Sequence, residues 1–565
     1  MSSAAATEPT AHRRISSVIP FLSWIRTYDR GNWLRPDVLA GVTVAAFSVP
    51  ESMAYAGLAG LSPEHGLYAS MIALLVYMFF GTSRQMSVGT TSALAIMVAG
   101  TLGALSLKPD EYLAAAQLTA VVAGVFAILA GLFKLGFIVN FISESVLKGF
   151  SAGAALYIAS SQLSKLFGIE GVQGNFFDRV WNVIKNLDET NYWTLALGIA
   201  SIVALLALDR FVPALPGSLI VVLASIGLMY VTDLQDKGVK VAGEFPSGLP
   251  GLGITGLPSG HFSDIVGLAF GCFLLSYVEG IGVAKTFAAR HKQPVDANQE
   301  LYANGAINIA SGLFKGFPVG GSMSRSAVNE AGGAKTPLAG GVAALILGVV
   351  LLFLTGVFAK LPEATLAAVV LVAVRSLIDI PALKRIYRLN RGEFAAAMLT
   401  AGGVLTFGML EGIIIGAGFS LLLLAYRGSK PRVDVLGRVP GTDDFASIAR
   451  HPDYQTIPGA LIVRIDGGIF YANADAVKNR IETLVAAASP PLTRLVLDLD
   501  NVGSLDIAAM DMIGELQESA EQAGYTLELA GATSSVRDLL TQDGLATLLV
   551  SPTGPSHIDD ALPPP

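Results

Sequence analysis

The chain has 565 residues, 52% of them hydrophobic and 14% charged, against roughly 25% charged in ordinary soluble domains. That deficit points to a lipid bilayer, and a net charge of −7 without a basic run excludes a nucleic-acid surface. The lone cysteine, Cys272, excludes an internal disulfide and reads as a small core residue.

Charge is sparse between residues 38 and 427 and ordinary from about residue 430. The expected division is an N-terminal cytoplasmic segment at 1–36, a transmembrane domain at 37–428, a cytoplasmic domain at 432–550 and a flexible Pro-rich tail at 551–565. The apolar run at 18–25 is short and is followed by Arg26, Asp29 and Arg30, so it does not read as a cleaved signal peptide.

Apolar segments of roughly spanning length fall at 38–60, 66–81, 88–104, 113–135, 138–168, 192–209, 213–232, 262–287, 300–315, 322–334, 337–359, 363–378, 392–409 and 411–427, about fourteen in all. The third and tenth are short or broken by polar residues and stand at corresponding places. Such pairing marks an inverted-repeat transporter with a site near the membrane midplane. Arg84, Arg210, Arg290, Lys292, Lys384, Arg385, Arg388 and Arg391 all follow even-numbered segments, which puts that side, and both termini, in the cytoplasm. Beyond Pro431, β-like runs at 460–465, 494–499 and 526–530 alternate with helical stretches at 476–488, 508–522 and 534–540, the pattern of a small α/β sheet domain.

The stretch GFPVGGSMSRSAVNEAGGAKT at 316–336 concentrates an arginine and three serines at membrane depth. Pro318, Gly320 and Gly321 interrupt the helix arriving from 301–314, and the serines suit the cap of a new one. The first turn of a broken helix carries unpaired N–H groups and partial positive charge, so it suits an anion. Arg325 adds a full charge there, and an intramembrane charge is functional by default, an interface ion pair being the plainer alternative.

Pro63-Glu64-His65-Gly66-Leu67-Tyr68-Ala69-Ser70, continued by Tyr77 and by Gly81-Thr82-Ser83-Arg84, resembles the signature of the SulP family of sulfate permeases and related anion transporters, although His65 stands where the family usually has tyrosine. The resemblance runs on through PESMAYAGLAGL at 50–61, GGSMSRSAVN at 320–329 and LGRVPGTDDF at 436–445. It implies fourteen spans in two inverted seven-span repeats, a core domain moving against a gate domain, a cytoplasmic STAS domain and a homodimer.

Glu51 and Tyr55 lie four apart after Pro50 and share one helix face; Ser322 and Arg325 lie three apart. The resemblance implies that Tyr55, Ser322 and Arg325 line the anion site, with Ser324 beside them, while Glu51 replaces a glutamine of plant members. A carboxylate repels a bound anion, so Glu51 is expected to be protonated when substrate binds, a route to proton coupling. Glu279 resembles a glutamate linked to proton coupling in the plant members. It is expected to pair with Arg325 in the empty site or to carry the proton, with Lys285 or a capping role as the structural alternatives. Thr90, Thr91 and Ser92 begin the third segment and are expected to face the tenth with hydroxyl and N–H donors. His65 and His291 read as loop residues, and Gly60 and Gly66 as close helix packing.

In LDLDNVGSLDIAAMD, Asp500 and Asp506 resemble the loop that carries a phosphorylated hydroxyl in anti-sigma-factor antagonists; Ile507 stands in the hydroxyl's place, so packing or partner docking is expected there. The expected function is proton-coupled uptake of a small oxyanion, sulfate first, by an elevator-like movement. Bicarbonate or dicarboxylate with protons or sodium is the alternative within transport, and an anion channel or a membrane sensor signalling through STAS the alternative outside it. No Walker lysine motif and no nucleophile with its base is present, which disfavours a pump and an enzyme; no cofactor and no metal is called for. An inner bacterial membrane is the expected location.

Overall fold

The computed structural model describes residues 19–562 except 106, 137–142, 173, 213–215, 244–245, 255–259, 489–491, 553 and 555. Most of the N-terminal segment, and residues 138–142 of the expected fifth span, therefore lie outside the described residues. The chain forms two units, residues 1–420 and 421–565.

The first unit is helical, and local signals set its helix ends. Asp29 caps α1 (Arg30–Leu58) by accepting from Gly31 N and Asn32 N, and a proline opens α2 (Pro63–Phe80). A three-residue strand β1 (Ser87–Gly89) precedes the short α3 (Ser92–Leu102), followed by α4 (Pro109–Leu132). Ser143 caps α5 (Glu144–Phe167), which stops at Gly168 with φ 71°, a left-handed turn that favours glycine. Then come α6 (Tyr192–Phe211), α7 (Gly217–Val231), α8 (Phe262–His291) and α9 (Ala297–Leu313). Strand β2 (Gly320–Ser322) precedes α10 (Met323–Ala331), and α11 (Leu338–Phe353), α12 (Glu363–Val374), α13 (Arg391–Thr406) and α14 (Met409–Gly428) complete the series.

Among the described residues five helices are long and apolar enough to cross a membrane: α1, α4, α6, α8 and the 411–428 part of α14. Two further helices, Phe176–Lys185 and Ile380–Leu389, were not expected. Each is too short to span and mixes apolar with basic residues, so an apolar-length search passes over them. His65 and His291 also correct their reading as loop residues, because they occupy the first turn of α2 and the last of α8.

Packing sorts these helices into two layers. In one, α9 lies against α4 and α2, α11 against α1 and α2, and α8 against α4; in the other, α5 lies against α13 and α12, and α6 against α12 and α7. The second layer meets the first where α12 and α7 touch α1. Small residues make such contacts possible: a Cβ on Gly66 would lie 1.9 Å from the Ser52 carbonyl oxygen of α1. Gly66→Val is therefore expected to lower the melting temperature in detergent steeply, by more than the ~1–3 kcal/mol typical of overpacking. Gly100→Val, where nothing lies within 4 Å of the added Cβ, is the control and is expected to change little.

The second unit is an α/β sheet domain. Strands β3 (Arg432–Arg438), β4 (Phe445–Ser447), β5 (Ala460–Asp466), β6 (Arg494–Asp498) and β7 (Thr526–Ala530) form one sheet in the order β4-β3-β5-β6-β7. The last three pair in parallel, and β3 runs antiparallel to β5. Helices α15 (Ala474–Ala486), α16 (Ile507–Ala523) and α17 (Ser534–Gln542) bury one face through residues such as Val477, Ile513, Leu516 and Val536 against Val463, Leu495 and Leu529. Asp506 caps α16 through Ala509 N and accepts from Tyr471 N, while Ile507 is 81% exposed.

The expectation of a loose tail from residue 551 is corrected over 556–562. Ile558, Ala561 and Leu562 cover the second face of the sheet at Leu436, Phe445, Ile462, Val496 and Ala530. Arg438 pairs with Asp559, and Arg494 donates to the Ala561 carbonyl oxygen. The reason is that this second face is itself apolar and must be covered; residues 563–565 lie outside the described residues.

Candidate functional site

Two short helices start at one place because two short strands hold them together. β1 and β2 pair antiparallel with Ser87 opposite Ser322, Val88 opposite Gly321 and Gly89 opposite Gly320. Each strand runs directly into a helix: Thr91 caps α3 through Leu94 N, and Ser322 caps α10 through Arg325 N. The first turns of α3 and α10 therefore sit side by side, each presenting partial positive charge. The pairing is tight, since a Cβ on Gly321 would fall 2.8 Å from Gly280 Cα of α8 and one on Gly89, at φ 153°, 2.8 Å from Arg325 Nη1.

Arg325 lies at this junction and is fully buried, at 0% exposure. Its Nη2 donates to the Thr90 carbonyl oxygen at 2.6 Å, and its Nε lies 3.5 Å from Glu51 Oε2. Nε and Nη1 make no hydrogen bond, nor does Glu51 Oε2. The other Glu51 oxygen accepts from the Tyr55 hydroxyl at 3.0 Å. A buried guanidinium with unused donors is uncommon, because unpaired buried polar groups cost free energy. The Glu51 carboxylate supplies counter-charge without filling those donors.

The remaining expected residues fall around this pair. Thr90 is buried; its N–H donates to Ser70 Oγ at 3.2 Å, and Ser70 is in turn 2.7 Å from Ser52 Oγ. Thr91, the cap of α3, and Ser92, its first residue, are buried, and Ser92 interacts with the Tyr55 phenol. Ser324 is exposed, its Oγ 3.1 Å from Ser322 Oγ.

Glu279 is the exception. The expected ion pair with Arg325 is not formed, because Glu51 on α1 stands against the guanidinium instead. Glu279 is half-buried on α8 beside Gly280, the glycine packed against Gly321 of β2, and none of the described residues forms an ion pair with it.

Several supporting residues went unnoticed in the sequence. Asn308 accepts from Val319 N and donates to Asn304 Oδ1 and Val319 O, and Ser276 donates to Val319 O as well; this buried network holds the chain just ahead of β2. Two asparagines one turn apart in an apolar segment were the available signal, since buried amides must be bonded. Glu300, 3% exposed, likewise collects Tyr77 Oη, Thr82 N and Ser83 N, pinning the loop that leads to β1. No cluster of metal-ligating side chains exists among the described residues.

Residues 34–400 match the profile of the Sulfate permease family, and residues 451–560 that of the STAS domain. A probable sulfate transporter of Mycobacterium tuberculosis is 35% identical over 546 residues, covering 96% of each chain. Probable sulfate transporter 4.2 of Arabidopsis thaliana is 32% identical over 95% of this chain and 81% of its own. Among solved structures, the murine Solute Carrier 26 family member A9 anion transporter in the inward-facing state superposes with a TM-score of 0.89 at 23% identity, over 99% of this chain and 96% of that one. The transmembrane domain of a cyanobacterial bicarbonate transporter superposes with a TM-score of 0.59 at 22% identity, over 69% of this chain and 97% of that one. At these identities both likenesses speak to the fold alone, that of a helical membrane protein. On the family profile and the full-length relatives together, this chain belongs to the sulfate permease family of integral membrane transporters, with a C-terminal STAS domain.

Proposed function

We propose that this protein is a secondary transporter that takes up a small oxyanion, sulfate first, together with protons. The observation that carries the reading is Arg325: a fully buried guanidinium with two nitrogens that make no hydrogen bond, set between two helix starts and facing a carboxylate that a proton can neutralise. The anion is held by Arg325, Ser322 and Ser324 from one half and by Thr90, Thr91 and Ser92 from the other, and Tyr55 orients it. Glu51 or Glu279 takes the proton. The names of the Mycobacterium and Arabidopsis relatives support sulfate as the anion.

The same reading has about fourteen spans in residues 37–428, a cytoplasmic STAS domain at 432–550, both termini in the cytoplasm, a bacterial inner membrane and a homodimer. The layer of α1–α4 and α8–α11 moves elevator-like against the layer of α5–α7 and α12–α14. Uptake of labelled sulfate into proteoliposomes, competed with selenate, bicarbonate and fumarate at two pH values, tests it. Strong competition by selenate and faster uptake on the acid side, without sodium, are expected. Sodium-dependent uptake competed best by bicarbonate overturns the sulfate assignment.

A further inference from the structure

At the end of α12 opposite the basic helix Ile380–Leu389, the last turns of α5 and the first turns of α6 and α12 enclose a second cavity. Its volume is about 180 Å³, and Ser164, Lys165, Thr194, Lys240 and Glu363 line it; one water needs only ~10–15 Å³. The surrounding backbone is fixed. Glu363 N donates to Lys240 O at 3.0 Å, Val241 bridges Pro362, and the left-handed Gly168 leads the chain back to Asn191, whose N–H bonds Phe167 O.

Charge, hydrogen bonding and position all bear on what this cavity holds. Lys165 feels the charge of Glu363, Lys240 is an exposed part of the lining, and no ion pair joins either lysine to Glu363 among the described residues. Thr194 is 3% exposed, yet its Oγ1 has no hydrogen-bond partner. Ala364, also in the lining, lies in the first turn of α12, where the N–H groups of Glu363, Thr365 and Leu366 already donate to Lys240 O and Pro362 O, and the cap residue Pro362 offers no side-chain acceptor to the N–H of Ala364. The cavity also adjoins α1, because a Cβ on Gly57, two residues beyond Tyr55, would lie 3.8 Å from Lys165 Nζ.

We propose that this cavity is a second binding site for a small divalent oxyanion, a waiting position beside the helix that carries Glu51 and Tyr55. Lys165 supplies the charge with Lys240 at the exposed rim, and Thr194 and the N–H of Ala364 supply the hydrogen bonds. Its part in uptake rests on the function proposed above; the binding itself does not.

The test removes the Arg325 pocket first. Gly171 is an exposed residue of the cavity lining, and a Cβ there meets only the Ser164 side chain, its Cβ at 3.7 Å and its Oγ at 3.8 Å, so a cysteine fits. Protein carrying Arg325→Ala, Cys272→Ser and Gly171→Cys, placed in lipid nanodiscs, is treated with a methanethiosulfonate reagent in sodium sulfate or in sodium chloride of equal ionic strength. Sulfate is expected to slow labelling, and Lys165→Gln to weaken that protection roughly tenfold, about what loss of one charge-assisted hydrogen bond brings. Lys165→Arg is expected to keep it, and Thr194→Val to weaken it, which guards against a folding defect in any single variant. Equal labelling in the two salts, or protection unchanged by both Lys165→Gln and Thr194→Val, overturns the site. Because Arg325 is absent throughout, neither result depends on the central pocket.

Discussion

Arg325→Ala is expected to lower the initial rate of sulfate uptake in proteoliposomes by about 100-fold or more while the protein still elutes as a folded species. The guanidinium is fully buried, with a carboxylate as its only ionic partner among the described residues. Removing one member of a buried charge pair typically costs ~3–5 kcal/mol, and each ~1.4 kcal/mol is tenfold in binding. Here the loss falls on the anion as well, since Nε and Nη1 are the unused donors at the junction of α3 and α10. Arg325→Lys keeps the charge but not the planar fork, so it is expected to recover only a small part of the rate. Uptake by Arg325→Ala within twofold of the unmodified protein sinks the central site.

Glu51→Gln is expected to uncouple uptake from protons while keeping anion binding. With Glu51 charged, its oxygen 3.5 Å from Arg325 Nε competes with an anion for the same guanidinium. On the proposed reading, protonation of Glu51 releases Arg325 to the anion, and uptake by the unmodified protein is expected to rise as pH falls. Glutamine imitates the protonated state permanently, and the pH dependence flattens. With one proton carried per anion charge-compensated, an inward gradient of one pH unit drives about tenfold accumulation, and Glu51→Gln is expected to abolish it. The parallel measurement on Glu279→Gln decides between the two carboxylates: flattening in that variant alone assigns the proton to Glu279 and leaves Glu51 as a counter-charge.

Much of this architecture is legible in the chain because the signals are local. The start of α6 at Tyr192 and the bounds of β7 at Thr526–Ala530 agree with expectation to the residue. So does the interruption ahead of Ser322, where Pro318 and two glycines leave no helix to continue. The strands β1 and β2 were invisible because three residues show no period, and their pairing joins segments far apart in the chain. β3 and β4 escaped similarly, mixing charged and apolar residues without a clean alternation. The tail at 556–562 was misread because prolines at the chain end suggest looseness, whereas Ile558 and Leu562 answer an apolar sheet face that only the folded sheet presents.

What the sequence by itself determined is the membrane domain, its broken third and tenth segments, the α/β sheet domain after Pro431, and the placement of one arginine and its serines at a helix start. Apolar length, caps and breakers act within a few residues, so one dimension suffices to read them. Which carboxylate meets Arg325 was decided only by the tertiary structure. Glu51 and Glu279 both lie on apolar helices, and neither spacing nor composition ranks them. The antiparallel β1–β2 pair and the packing of α1 set the guanidinium against Glu51, because a buried charge takes the partner that long-range packing brings within reach.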